Sequence, residues 1–196
     1  MQALWGGIIG AVLTLVGREV ISWWRKPRFT IEFENNEPFC RKDPPNQGQI
    51  YWLRLKVTNS GKSVAKRCMG RLVQFIDGEG KPVEDHDPVQ LHWVGTPWRE
   101  GPELFTLIDL QQRRSEFLDV LLTKPDSPPK PDSPPKPCLF MGYHQSVGLR
   151  TDPLPSNVQR IRIAVYGDNV DHCPKEYSIS WEGKEPKYTD IRLKEE

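Results

Sequence analysis

The hydrophobic pattern changes period near residue 26. Leu4 to Val16 reads LWGGIIGAVLTLV without a charge, and after Arg18 and Glu19 the apolar character resumes at Val20, Ile21, Trp23 and Trp24. As a helix, residues 3–24 would reach about 33 Å, enough to cross the ~30 Å hydrocarbon core of a bilayer. The pattern predicts one transmembrane helix, with Arg18 and Glu19 close enough to its end for a long side chain to snorkel. Trp23-Trp24 suits an interfacial aromatic belt, and Arg25, Lys26 and Arg28 follow directly. Only Met1 and Gln2 precede the apolar run, and no small-x-small cleavage site follows it, so the stretch reads as an anchor and not as a secretory signal. An in-plane amphipathic helix and a buried core helix are the alternatives.

After Pro27 apolar residues recur at every second position, the period of a half-buried strand. Phe29, Ile31 and Phe33 alternate with Thr30 and Glu32. Tyr51, Leu53, Leu55 and Val57 alternate with Trp52, Arg54 and Lys56, up to a turn at Asn59-Ser60-Gly61-Lys62. Cys68 to Ile76 runs into Asp77-Gly78-Glu79-Gly80. Further strands are expected over 90–93, 104–110, 116–122, 139–142, 160–166, 177–181 and 191–193. Ile161, Ile163 and Val165 face one way and Arg160, Arg162 and Ala164 the other, the one-wet-face pattern of antiparallel sheets. No segment after residue 26 carries a 3.6-residue period. The expectation is an all-β domain over 28–194, an immunoglobulin-like antiparallel β-sandwich, without the two-cysteine, one-tryptophan pin of antibody domains.

The stretch from Leu53 to Ala65, LRLKVTNSGKSVA, resembles the strand, Asn-x-Gly, small residue, Ala signature of bacterial and archaeal immunoglobulin-like modules of the cell-adhesion-related type. Leu107 to Leu110 and Glu116 to Val120 resemble the strands that follow in such modules. The resemblance implies that the Asn-Gly turn joins two strands and that the Ala begins the next, a structural role. Prokaryotic single-anchor proteins carrying one such domain are the family it suggests.

Lys124 to Pro137 reads KPDSPPKPDSPPKP, two copies of PDSPPK. Proline fixes φ and lacks an amide proton, so the repeat favours polyproline II and cannot enter a sheet interior. It reads as a loop between two strands rather than as a domain boundary. Its PxxP spacing at Pro125/Pro128 and Pro131/Pro134 matches what polyproline grooves bind, and a surface loop without a partner is the plainer reading.

The formal net charge of +1 excludes histone-like or polyanion-like behaviour, yet the balance is uneven, with residues 1–80 net positive and residues 81–196 net negative. Positive flanks lie only after the apolar run, which places the domain on the cytoplasmic side. Cys40, Cys68, Cys138 and Cys173 are too widely spaced for a secreted disulfide framework. Gly6 and Gly10 form a GxxxG step able to pair two anchor helices into a homodimer.

Catalytic motifs are missing: the chain has no GxSxG elbow, P-loop or GxGxxG after a strand. Asp85-His86-Asp87 and Asp171-His172-Cys173 lack the CxxC or HxxxH spacing of a metal site and read as turn residues. No catalytic, cofactor or metal residue is assigned. The remaining candidate is basic: Trp52, Arg54, Lys56, Lys66, Arg67 and Arg71 fall in a stretch without an acid, Ile50 to Ile76. Basic groups interleaved with an aromatic could hold an anionic headgroup or a nucleic-acid strand, lipid being the nearer anion for a tethered domain. The expected role is a membrane-tethered, non-catalytic interaction module with an unknown protein partner. Anion binding through residues 52–71 is the alternative, and nucleic acid the less favoured ligand.

Overall fold

β-Branched, leucine and aromatic residues at alternate positions give strands such as β1 and β10 one apolar face, and the sheet curls to bury it. The structure, a computed structural model, describes residues 20–21, 23–42, 50–83, 87–97, 106–123, 137–144, 148–180 and 192–196. Twelve strands occur among them: β1 (Phe29–Glu32), β2 (Cys40–Lys42), β3 (Tyr51–Asn59), β4 (Ala65–Asp77), β5 (Val89–Trp93), β6 (Ile108–Leu110), β7 (Ser115–Thr123), β8 (Pro137–His144), β9 (Gly148–Pro153), β10 (Val158–Gly167), β11 (Val170–Ser180) and β12 (Arg192–Glu195). All pairings are antiparallel, in the order β1-β3-β7-β5-β4-β10-β11-β12. β2 lies beside β3, β6 beside β4, and β8 joins β7 to β9.

β5 makes the curl possible. Its first residues pair with β4, Leu91 opposite Gly70 and Val89 opposite Leu72, while His92 and Trp93 pair with Asp119 and Leu118 of β7. The two halves of the sheet meet along this strand and enclose one core that includes Leu55, Val57, Phe75, Trp93, Leu118, Ile161, Ile163 and Tyr177. The Trp93 indole donates to the Cys68 carbonyl at 3.1 Å, so the largest core side chain leaves no buried donor unpaired.

The all-β, antiparallel architecture is the one expected. Ile161, Ile163 and Val165 are fully buried, and Arg160 and Arg162 both bond Glu176 on β11, at 2.8 and 2.9 Å. Ala164, expected outward, is buried as well. The strand expected from residue 104 is described only from Ile108. β3 differs more. Only its inner face was expected to be buried, yet Trp52 and Arg54 are 3% and 8% exposed. β3 is flanked on both edges, by β1 and β2 on one side and β7 on the other, and the segment between β1 and β2 stays along that first edge. There Phe39 accepts from the Arg54 amide at 2.8 Å and packs edge-on against Phe33 and Phe117. Trp52 sits with Ile50, Leu122 and Cys138 in a second, smaller apolar cluster.

Near the N-terminus the backbone is helical at residues 20, 21 and 23–25. Among the described residues no helix is long and apolar enough to cross a membrane. Gly6, Gly10 and most of the expected anchor lie outside the described residues, as do Asp85, His86, Trp98 and residues 124–136 of the proline repeat. The repeat's ends are fixed all the same: Thr123 pairs with Pro137, and Leu122 with Cys138.

Candidate functional site

The sequence turns where small and polar residues interrupt the alternation, and three such turns gather at the end of the domain where the helix joins. Asn59, at the end of β3, holds them. Its side chain is fully buried and uses both of its groups. Oδ1 accepts from the amides of Gly61 (3.0 Å) and Arg28 (3.3 Å), and Nδ2 donates to the carbonyls of Ser63 (2.7 Å) and Leu110 (2.9 Å). Its backbone bonds Arg113 and Arg114 at 2.8 and 3.0 Å. One residue therefore links the strand entry at Arg28, the β3–β4 turn, and the β6–β7 turn at residues 111–114.

The chain entering β1 lies directly on the β3–β4 turn. A Cβ on Gly61 would stand 2.5 Å from Arg28 N, Lys26 O and Pro27 Cα, a separation no side chain tolerates. Pro27 is buried, so no linker separates helix from sheet. The β10–β11 turn completes this end: Lys66 N donates to Asn169 Oδ1 at 2.9 Å, and Asn169 Nδ2 to Val64 O at 2.9 Å.

Apolar and basic groups share this surface. Val20, Ile21, Trp23 and Trp24 are 51–61% exposed and are the large exposed hydrophobics of the described chain. The Arg28 guanidinium lies 5.0 Å from the Trp23 ring centroid, and Lys62 Nζ 2.8 Å from that of Trp24. These contacts join the entering helix to β1 and to the β3–β4 turn through cation–π attraction. Arg25, Lys26, Arg113 and Arg114 are exposed and in no ion pair among the described residues. An open cleft of about 590 Å³ is lined by Arg25 and Lys26 from the chain entry and by Asp168 and Asp171 from the β10–β11 turn.

The residues singled out from the sequence do not form one face. β3 and β4 are separated in the sheet by β7 and β5. Trp52 is buried, and Arg54 Nε bonds Asp119 Oδ1 at 2.7 Å. Half-buried Lys56 pairs with Glu32 at 3.3 Å, and exposed Arg67 with Asp168 at 3.6 Å. Lys66 and Arg71 are exposed on β4. Arg54 belongs to a buried row that no local motif announces. Register sets Arg54 of β3 opposite Asp119 of β7, and Asp119 opposite His92 of β5. Asp119 Oδ2 lies 3.0 Å from His92 Nδ1, and His92 Nε2 is 3.2 Å from both the carbonyl and the hydroxyl of Thr96. Thr96 Oγ1 also donates to Trp93 O at 2.7 Å. With His92 and Asp119 at 2% and 3% exposure, the row clamps three strands and offers no surface to a substrate.

Burial pushes the Cys68 thiol up to about 11 and raises Cys40 and Cys173 in the same direction, away from thiolate reactivity. The four cysteines form no disulfide, and among the described residues no three metal-ligating side chains converge. Compared with family models, curated proteins and solved structures, the chain matches none.

Proposed function

We propose that the chain is a single-pass membrane protein: residues 3–24 anchor it, and an immunoglobulin-like domain over 28–194 is held at the cytoplasmic membrane surface as a non-catalytic interaction module. The observation that carries this reading is the strip of Val20, Ile21, Trp23 and Trp24, which stays 51–61% exposed with only Arg28 and Lys62 laid against its tryptophan rings, and which basic residues border immediately. Exposed tryptophans between an apolar run and a basic flank are the signature of a bilayer interface. The absent linker adds a mechanical point. With Pro27 buried against the turn that Asn59 organises, the domain cannot wander from the bilayer and must present a fixed orientation to whatever it meets there.

The alternative, anion binding through residues 52–71, is less well supported, because Trp52 and Arg54 are buried and Arg54 already has a carboxylate. The test is carbonate extraction of native membranes followed by flotation of the intact protein. It should resist extraction and leave the membrane only with detergent. Recovery in the high-speed supernatant would overturn the anchor, and labelling of surface residues by an impermeant reagent in sealed cells would overturn the orientation.

A further inference from the structure

We infer that the helix-entry end of the domain is itself a lipid-binding surface, selective for anionic phospholipid headgroups; the inference rests on the membrane-anchor reading. Three turns distant in sequence bring Arg25, Lys26, Arg28, Lys62, Arg113 and Arg114 to this end, all exposed, with Lys66 and Arg67 beside them. The acids there are fewer. Among the described residues they are Asp168, which faces the Arg67 guanidinium at 3.6 Å, and Asp109, Glu116 and Asp171, against eight basic groups. A helix that leaves the bilayer beneath Trp23 and Trp24 sets these turns at headgroup depth. Each basic group near an anionic surface is attracted to it within a Debye length, about 8–10 Å at moderate salt.

Arg67 and Arg113 hold φ at +50° and +58°, in the left-handed region where glycine or asparagine is the unstrained residue. Hydrogen bonds hold both in that geometry, the Arg67 amide donating to Asp109 Oδ1 at 2.9 Å and the Arg113 amide to Asn59 O at 2.8 Å, so the two arginines are fixed in place by the turns that build this end. The hairpin at residues 77–81 serves as contrast: its Lys81 is paired to Glu79 at 2.8 Å.

The experiment uses the full chain reconstituted in phosphatidylcholine bilayers with trace spin-labelled phosphatidylglycerol or phosphatidylcholine, and reads the immobilised lipid fraction. The expected result is a preference for phosphatidylglycerol of about two-fold or more, abolished in molar salt, where the Debye length falls to ~3 Å. Lys62→Glu with Arg113→Glu and Arg114→Glu should remove most of the preference, and Lys81→Glu should leave it intact. Arg113→Gly separates charge from folding, because it relieves the strained φ and should melt no lower than the parent while still weakening the preference. Equal affinity for the two lipids, or a preference untouched by the triple reversal, overturns the surface while leaving the anchor standing. A chain that fails to co-float with vesicles overturns the anchor and the surface together. Retardation of an oligonucleotide by the detergent-solubilised chain, without lipid preference, would assign the same charges to nucleic acid and refute the lipid proposal.

Discussion

Replacing Asn59 tests whether one side chain really organises the helix-entry end. Asn59→Ala removes four hydrogen bonds at a fully buried position. Water can reach Arg28 and Ser63 and satisfy their backbone groups. The Gly61 amide and the Leu110 carbonyl are buried and would be left unpaired. Two buried orphans at about 1–3 kcal/mol each give an expected loss of ~2–6 kcal/mol. Asn59→Asp is the sharper probe. It keeps an acceptor toward Gly61 but turns Nδ2 into an oxygen facing two carbonyl oxygens, 2.7 and 2.9 Å away, so it should cost at least as much despite its matching shape. Urea unfolding of the intact protein in detergent, followed by tryptophan fluorescence, gives the change from the midpoint shift. In a chain of this size the same loss lowers the melting temperature by roughly 4–24 °C. A loss below about 1 kcal/mol for Asn59→Ala, or an Asn59→Asp variant as stable as the parent, would refute the assignment.

Asp119→Ala should cost about 3–5 kcal/mol by stranding the buried Arg54 charge, whereas Arg54→Met combined with Asp119→Leu should recover the part due to that charge and not the part due to His92 Nδ1, which loses its carboxylate in both; thermal melts decide, and a double variant no more stable than Asp119→Ala would count against the ion-pair account. Gly61→Ala forces a methyl into three backbone atoms of residues 26–28, so tryptic cleavage after Arg28 should accelerate; an unchanged rate would mean the entry segment does not rest on the turn. The Tyr177 hydroxyl is buried and has no hydrogen-bond partner among the described residues, and burial raises its pKa above the ordinary value of 10.0. The folded state holds this proton more tightly than the unfolded one, so stability should fall as pH rises past about 10. Tyr177→Phe should be no less stable at neutral pH and show a shallower alkaline loss, with Cys68 supplying part of what remains. A loss above about 1 kcal/mol at pH 7, measured by urea midpoints, would mean the hydroxyl has a partner.

Local pattern revealed what local physics decides. β3 and β10 were legible because alternation over several residues leaves little choice of face, and the Asn59-Ser60-Gly61 turn because few residues suit it. β2, with only three residues, and the polar first half of β11 carry no such pattern and owe their pairing to neighbours already in place. The burial of the outer face of β3 was not legible because Leu122, Cys138 and Asp119, the partners of Trp52 and Arg54, come from other strands. The Arg54–Asp119–His92 row could not be seen in the sequence either, since its members are contributed by three strands and meet only through register. Of the basic end, the contribution of Arg25 to Arg28 stood out beside the apolar run. Arg113 and Arg114 did not, because nothing in the sequence says that residue 113 will lie beside residue 59.

The pairing of Thr123 with Pro137 has a consequence for how this chain can vary. The two hexapeptides are held at both ends by neighbouring strands that are paired without them, so the copy number is a length the sheet never measures. Closure entropy grows only with the logarithm of loop length, so one repeat more or less changes it little. Replication slippage within the coding repeat would thus be nearly silent for folding, and gain or loss of a PDSPPK unit is the change in length this protein should absorb with least harm.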